Sequence, residues 1–150
     1  MSRDFNKNKV AVLTGAAKKI GRSTSIKLAE QGFNILIHTG GKSIEEAKYT
    51  IKLLEKFKIQ SNYVTGDLAN LETINIIKDA ALKLGTPSVL VNNAGLRIHE
   101  HFEKINYKDW KKVMTVNVDA SFLCAQALIN HMVKQKWGRV INIGGLSAHI

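Results

Sequence analysis

The chain predicts an α/β domain in which helices cover a parallel sheet, and three observations carry that expectation. Short apolar runs rich in branched residues recur, at VAVL (10–13), FNILIH (33–38) and SVLV (88–91). Runs of this kind suit strands buried on both faces. Between them lie stretches whose apolar residues recur at three- and four-residue steps, the period of a helix with one buried face. Glycines such as Gly15, Gly32 and Gly85 punctuate the junctions. With 150 residues and 45% hydrophobic content, the chain is long enough for one domain, taken as residues 1–150, with a real core.

Residues 9–21, KVAVLTGAAKKIG, organise the rest. An apolar run is broken at Thr14-Gly15, and Gly21-Arg22-Ser23 leads into an amphipathic stretch. Strand, glycine turn and helix therefore follow in order. A helix N-terminus presents unpaired N–H groups and partial positive charge, and a glycine turn lets a pyrophosphate approach the backbone. Thr14, Gly15, Lys18, Lys19, Ile20 and Gly21 are the candidate dinucleotide contacts here.

The helix over residues 23–31 carries Ile26, Leu28 and Ala29, and Gly32 closes it as a C-cap does. The strand 33–38 ends in His38-Thr39-Gly40-Gly41-Lys42-Ser43. An NAD-selective site places Asp or Glu about 20 residues beyond the glycine turn, on the ribose hydroxyls. No carboxylate stands at this tip; Lys42 and Ser43 offer a cation and a hydroxyl, and His38 borders them. That chemistry favours the 2′-phosphate of NADP(H) over NAD(H). The other reading of Lys42 is the solvated start of a helix.

Ile44, Ala47, Ile51, Leu54 and Phe57 predict a helix over 43–58, and SNYVTG (61–66) a third strand ending at Asp67-Leu68. Leu71, Ile74, Ile77, Ala81 and Leu84 mark a third helix, stopped by Gly85-Thr86-Pro87. The fourth strand, 88–91, runs into Asn92-Asn93-Ala94-Gly95. That turn falls at a strand's carboxyl end, where open parallel sheets bind ligands. Arg97 lies near where a substrate would enter, or is a surface arginine; His99 and His101 lack further ligands at metal spacing. From Trp110 an apolar stripe continues through Val113, Asn117, Phe122, Ala125, Ile129 and Met132. An amide set into such a stripe is costly unless hydrogen-bonded. GRVINIG (138–144) is the fifth strand.

Together TGAAKKIG, NNAG, Asn117 and GRVINIG resemble the short-chain dehydrogenase/reductase family, in order and over nearly the whole chain. The resemblance implies a three-layer Rossmann fold with sheet order 3-2-1-4-5, cut short after the fifth strand. Lys19 stands where the family's turn has its middle glycine, as in the pteridine-reductase-like branch. Asp67 and Leu68 would meet the adenine, with turn formation the other reading of Asp67; Asn93, Ala94 and Gly95 would pass under the adenosine ribose. Asn117 matches the catalytic Asn, whose helix kinks so that a carbonyl holds a relay water; an amide bonded to a neighbouring loop is the other reading of it. The catalytic Ser position holds Gly145, leaving Ser147 as the nearest hydroxyl. Tyr107 and Lys111 have the catalytic Tyr-x-x-x-Lys spacing but precede the fifth strand, and are not assigned that role.

The implied activity is hydride transfer between NADP(H) and a small carbonyl or alcohol substrate, as in 3-oxoacyl-carrier or pteridine reduction. The family's Tyr-x-x-x-Lys helix and substrate lid lie beyond residue 150, so the chain is expected to be a fragment that binds nucleotide without turning over. Self-association is expected of the full-length protein. The alternatives are a non-catalytic nucleotide sensor and, because of the net charge of +10, an RNA-binding protein. The lysines are scattered rather than clustered with aromatics, which makes nucleic acid the lesser of the two. One cysteine, Cys124, admits no intrachain disulfide. A polar start and no apolar run of membrane length predict a cytoplasmic protein without membrane attachment.

Overall fold

The computed structural model describes residues 3–145. Its centre is a five-stranded parallel sheet in the order β3-β2-β1-β4-β5, which is the order the sequence resemblance implies. The strands are β1 (Lys9–Leu13), β2 (Asn34–Thr39), β3 (Ser61–Thr65), β4 (Thr86–Asn92) and β5 (Arg139–Asn142). Helices α1 (Lys19–Glu30), α2 (Ile44–Leu54) and α3 (Leu71–Leu84) connect the first four; α4 (Tyr107–Met114) and α5 (Ala120–Lys134) precede the last. Parallel strands need such crossovers because a tight turn cannot return the chain to the same end.

Alternation along each strand divides the interior into two cores. Ala11, Leu13, Ile35 and Ile37 face Ala29 of α1 and Ala47 and Leu54 of α2. Val10, Val12, Leu36 and Leu90 face Ile77 and Ala81 of α3 and Cys124 and Leu128 of α5. A one-residue slip in β1 or β2 would exchange these sets, so two-sided burial holds the register. The β1–β4 pairing shifts register between Val10 and Ala11, where Pro87 occupies β4 and has no N–H to donate. Burial pushes the Cys124 thiol up to about 11, so it packs as an apolar group.

Several boundaries differ from the sequence reading. The first helix begins at Lys19 rather than beyond Gly21, which places that glycine inside the opening turn. The second helix ends at Leu54, and residues Glu55–Phe57 form a 3-10 turn closed by Lys58 with φ of 57°. The stripe expected to be buried from Trp110 onward is buried only in part: Met132 is in the core and Ala125 packs against it, but Phe122 is 62% exposed, and Trp110 and Ile129 are also exposed. The buried face of α5 is Ala120, Cys124, Leu128 and Met132, a four-residue repeat beside β4. This helix is apolar nearly all round, so periodicity alone could not say which side meets the sheet. The continuous helix Tyr107–Lys134 is also long and apolar enough, by length and composition, to cross a membrane, which the reading from runs of apolar residues overlooked. Here one face of it packs on β4 and α3.

Candidate functional site

Strand order reverses between β1 and β4, because the chain lays β2 and β3 on one side of β1 and β4 and β5 on the other. The loops after β1 and β4 therefore part at their carboxyl ends and leave a crevice. Hydrogen bonds lock the two loops together. Thr14 Oγ1 accepts from the backbone N–H groups of Asn93 (3.1 Å) and Ala94 (3.0 Å). Asn93 Nδ2 donates to the carbonyls of Thr14 and Gly15, each at 3.0 Å. Gly15 has φ of 60°, and a Cβ there would lie 2.7 Å from Ala94 Cα. At Gly21 a Cβ would lie 2.5 Å from Ala16 Cα, so the helix meets the turn too closely for any side chain. These glycines serve close backbone packing.

A groove of about 670 Å³ runs along the carboxyl ends of β1 to β4. Gly15, Lys18, Lys19, Ile20, Gly21, His38, Lys42, Ser43, Asp67, Leu68, Asn93, Ala94 and Gly95 all line it. Of the candidate cofactor residues only Thr14 does not; it is buried behind the turn and braces the Asn93 loop. Lys18 caps α1 without a side-chain hydrogen bond, and no acidic residue occupies the first turn. The helix mouth therefore keeps its positive partial charge toward the groove. Lys19 reaches its position with φ of 50°, a conformation that favours glycine. Lys18 Nζ lies 3.6 Å from Glu46 Oε1, an ion pair at the rim, whereas Lys19 and Lys42 make no ion pair among the described residues.

At the far end of the groove His38 Nε2 lies 3.0 Å from the Gly66 carbonyl, which can only accept, so Nε2 carries the proton. Nδ1 is then a buried acceptor with no hydrogen-bond partner among the described residues. Burial holds the imidazole below its ordinary pKa, opposed by the Gly66 bond and the Asp67 carboxylate. Asp67 also accepts from Ala69 N–H at 3.0 Å, the turn role, while its place on the groove suits the adenine role.

A second cleft of about 780 Å³ adjoins the first, sharing Ile20, Asn93, Ala94 and Gly95. Asn117 stands on it, tied to the Leu96 backbone: Leu96 N–H donates to Oδ1 at 2.7 Å and Nδ2 donates to the Leu96 carbonyl at 2.9 Å. Around it residues Thr115–Asp119 form a π-helical turn, the local widening that the resemblance implies as a kink. Gly145 lines this cleft; Ser147 lies outside the described residues. Ser121 is a hydroxyl on this cleft that sequence reasoning missed, and it donates to the Asn117 carbonyl at 3.3 Å. Lys112 and Val116 on the first groove were missed as well. Only the phase of α4 could have revealed them. Tyr107 and Lys111 line neither cleft; the Lys111 ammonium sits 5.9 Å from the Tyr107 ring centre.

The groove meets what a dinucleotide requires, with free donors at a helix mouth, cations beside it, and glycines where the chain must come close. Comparison with known proteins agrees in kind. A 3-oxoacyl-[acyl-carrier-protein] reductase of Staphylococcus epidermidis is 34% identical over 142 residues, covering 91% of this chain and 56% of the relative. An uncharacterized oxidoreductase, YohF, of Escherichia coli K12 is 37% identical over 142 residues, with 93% and 56% covered. The chain thus spans little more than half the length of these relatives. The crystal structure of acetoin dehydrogenase YohF from Salmonella typhimurium superposes with a TM-score of 0.89 at 35% identity, over 95% of this chain and 57% of that one. A metagenomic short-chain oxidoreductase in complex with NADP gives 0.84 at 26% identity, over 94% and 64%. The short chain dehydrogenase family model matches residues 9–150, from the first strand onward, and the chain belongs to that family.

Proposed function

We propose that this chain is the cofactor-binding part of an NADP(H)-dependent oxidoreductase acting on a small carbonyl or alcohol substrate. The observation that carries the reading is the charge of the groove. Lys18, Lys19 and Lys42 line it beside an uncapped helix mouth, and Asp67 is the carboxylate among its lining residues. A pyrophosphate with a 2′-phosphate carries about four negative charges, the latter supplying about 1.5–2 of them, and a cationic wall favours it over the unphosphorylated form. The bound nicotinamide would supply or accept hydride at C4, and the protein would position it and manage the proton.

In this reading the first groove takes the adenosine and phosphates, and the second takes the nicotinamide and substrate. The Asn117 clamp on Leu96 holds the π turn open, so that a carbonyl of the turn can hold water for proton transfer. Ser147 is the candidate hydroxyl in place of Gly145. The exposed apolar residues Phe122, Ile129 and Val133 on α5 would be covered by self-association of the full-length protein. Gly145 on the second cleft favours a second reading, a nucleotide-binding protein without turnover.

Fluorescence titration with NADPH and NADH tests the proposal. Binding of NADPH at least tenfold tighter than NADH is expected, with Lys42→Ala erasing most of the difference. Tighter binding of NADH would overturn it.

A further inference from the structure

Lys112, on α4, also lines the groove. Asn106 caps α4, its Oδ1 accepting from Asp109 N–H at 2.9 Å, and this sets the phase of the helix. Lys112 and Val116, one turn apart, then share the groove-facing side. Asp109, one turn before Lys112, takes a hydrogen bond from Asn106 Nδ2 at 2.7 Å, and Lys111 turns to the Tyr107 ring. Lys112 makes no ion pair among the described residues. An ammonium without an ion pair thus joins a cavity already lined by Lys18, Lys19 and Lys42. An anion bound in the groove would offset the like charges gathered there.

We propose that Lys112 is a specificity-determining residue, closing the groove electrostatically on the phosphates of a phosphorylated dinucleotide. This rests on the dinucleotide reading of the groove. A lysine acts as a mobile point charge, so its effect depends on total ligand charge and is screened by salt. The ligand with the additional phosphate therefore gains more from it.

Titration of the whole chain with NADPH and NADH, wild type against Lys112→Met and Lys112→Arg, tests this. Methionine keeps the apolar stem and removes the charge. At low ionic strength Lys112→Met is expected to weaken NADPH binding about fivefold and NADH about twofold, with Lys112→Arg close to wild type. The slope of log Kd against log salt for NADPH should flatten in Lys112→Met alone. Unchanged NADPH affinity, or equal losses for both cofactors, would overturn the role of Lys112 while leaving the groove assignment intact. Failure of wild type to bind either dinucleotide would overturn both. Lys112 is exposed, and matching melting temperatures of the three proteins check that the fold is kept.

Discussion

An inner strand and an edge strand of the sheet, β2 and β5, are built from similar sequence and differ in what covers them. All six residues of β2 are buried, between α1 and α2 on one face and α3 on the other. All four residues of β5 are exposed, although Val140, Ile141 and Asn142 pair with β4 as regularly as β2 pairs with β1. The adjoining α5 repeats the contrast around its own axis, with Leu128 fully buried and Val133 65% exposed. Strand-forming residues and hydrogen-bonded partners therefore make a strand, but only a layer on each face makes a core. Both clefts lie along the carboxyl ends of the strands, the first groove reaching β2 and the second cleft reaching β5.

Truncating one apolar residue in each half should separate them most widely. Leu36→Ala in β2 empties a fully buried site and is expected to cost about 2–5 kcal/mol. Ile141→Ala in β5 should cost under about 1 kcal/mol, because its side chain is already half in water. Urea denaturation of both variants measures the gap, and equal losses would mean that β5 is covered in solution.

The covered half also has a pH signature. Burial depresses the His38 pKa, so the unfolded chain binds the proton first as pH falls through 6.5, the ordinary imidazole value. Stability is then full above 6.5 and declines below it, by at most about 1.4 kcal/mol per pH unit, until the folded imidazole also titrates. His38→Asn should flatten the melting temperature between pH 7 and 5.5. An unchanged slope in that variant would assign the acid loss to other groups.

Within the groove, Lys19→Gly sharpens the contrast between scaffold and site. It relieves a left-handed conformation and is expected to stabilise the chain by up to about 1 kcal/mol. Removing a cation from the helix mouth should at the same time weaken NADPH binding about threefold. Thermal melts with and without NADPH give both effects in one experiment.

Much of the site was legible because it is built on local backbone chemistry. TGAAKKIG and NNAG mark turns at strand ends, and a strand end in a parallel sheet is where ligands bind. The absence of a carboxylate after β2 could be read directly at positions 39–43. Lys112 and Ser121 were not legible, since each depends on the phase of a helix relative to a loop far away in sequence. Thr14 was legible as important but not in its role, because its hydroxyl is spent on Asn93 and Ala94, some distance along the chain.

The order of strands and helices, the glycine turn and the lysines beside it were determined by sequence alone, through periodicity and the φ preferences of single residues. Which face of α5 meets the sheet, which strand stays uncovered, and which lysine of α4 lines the groove were decided only when the layers packed. Those outcomes depend on distances between segments remote in the chain, and no local pattern encodes them.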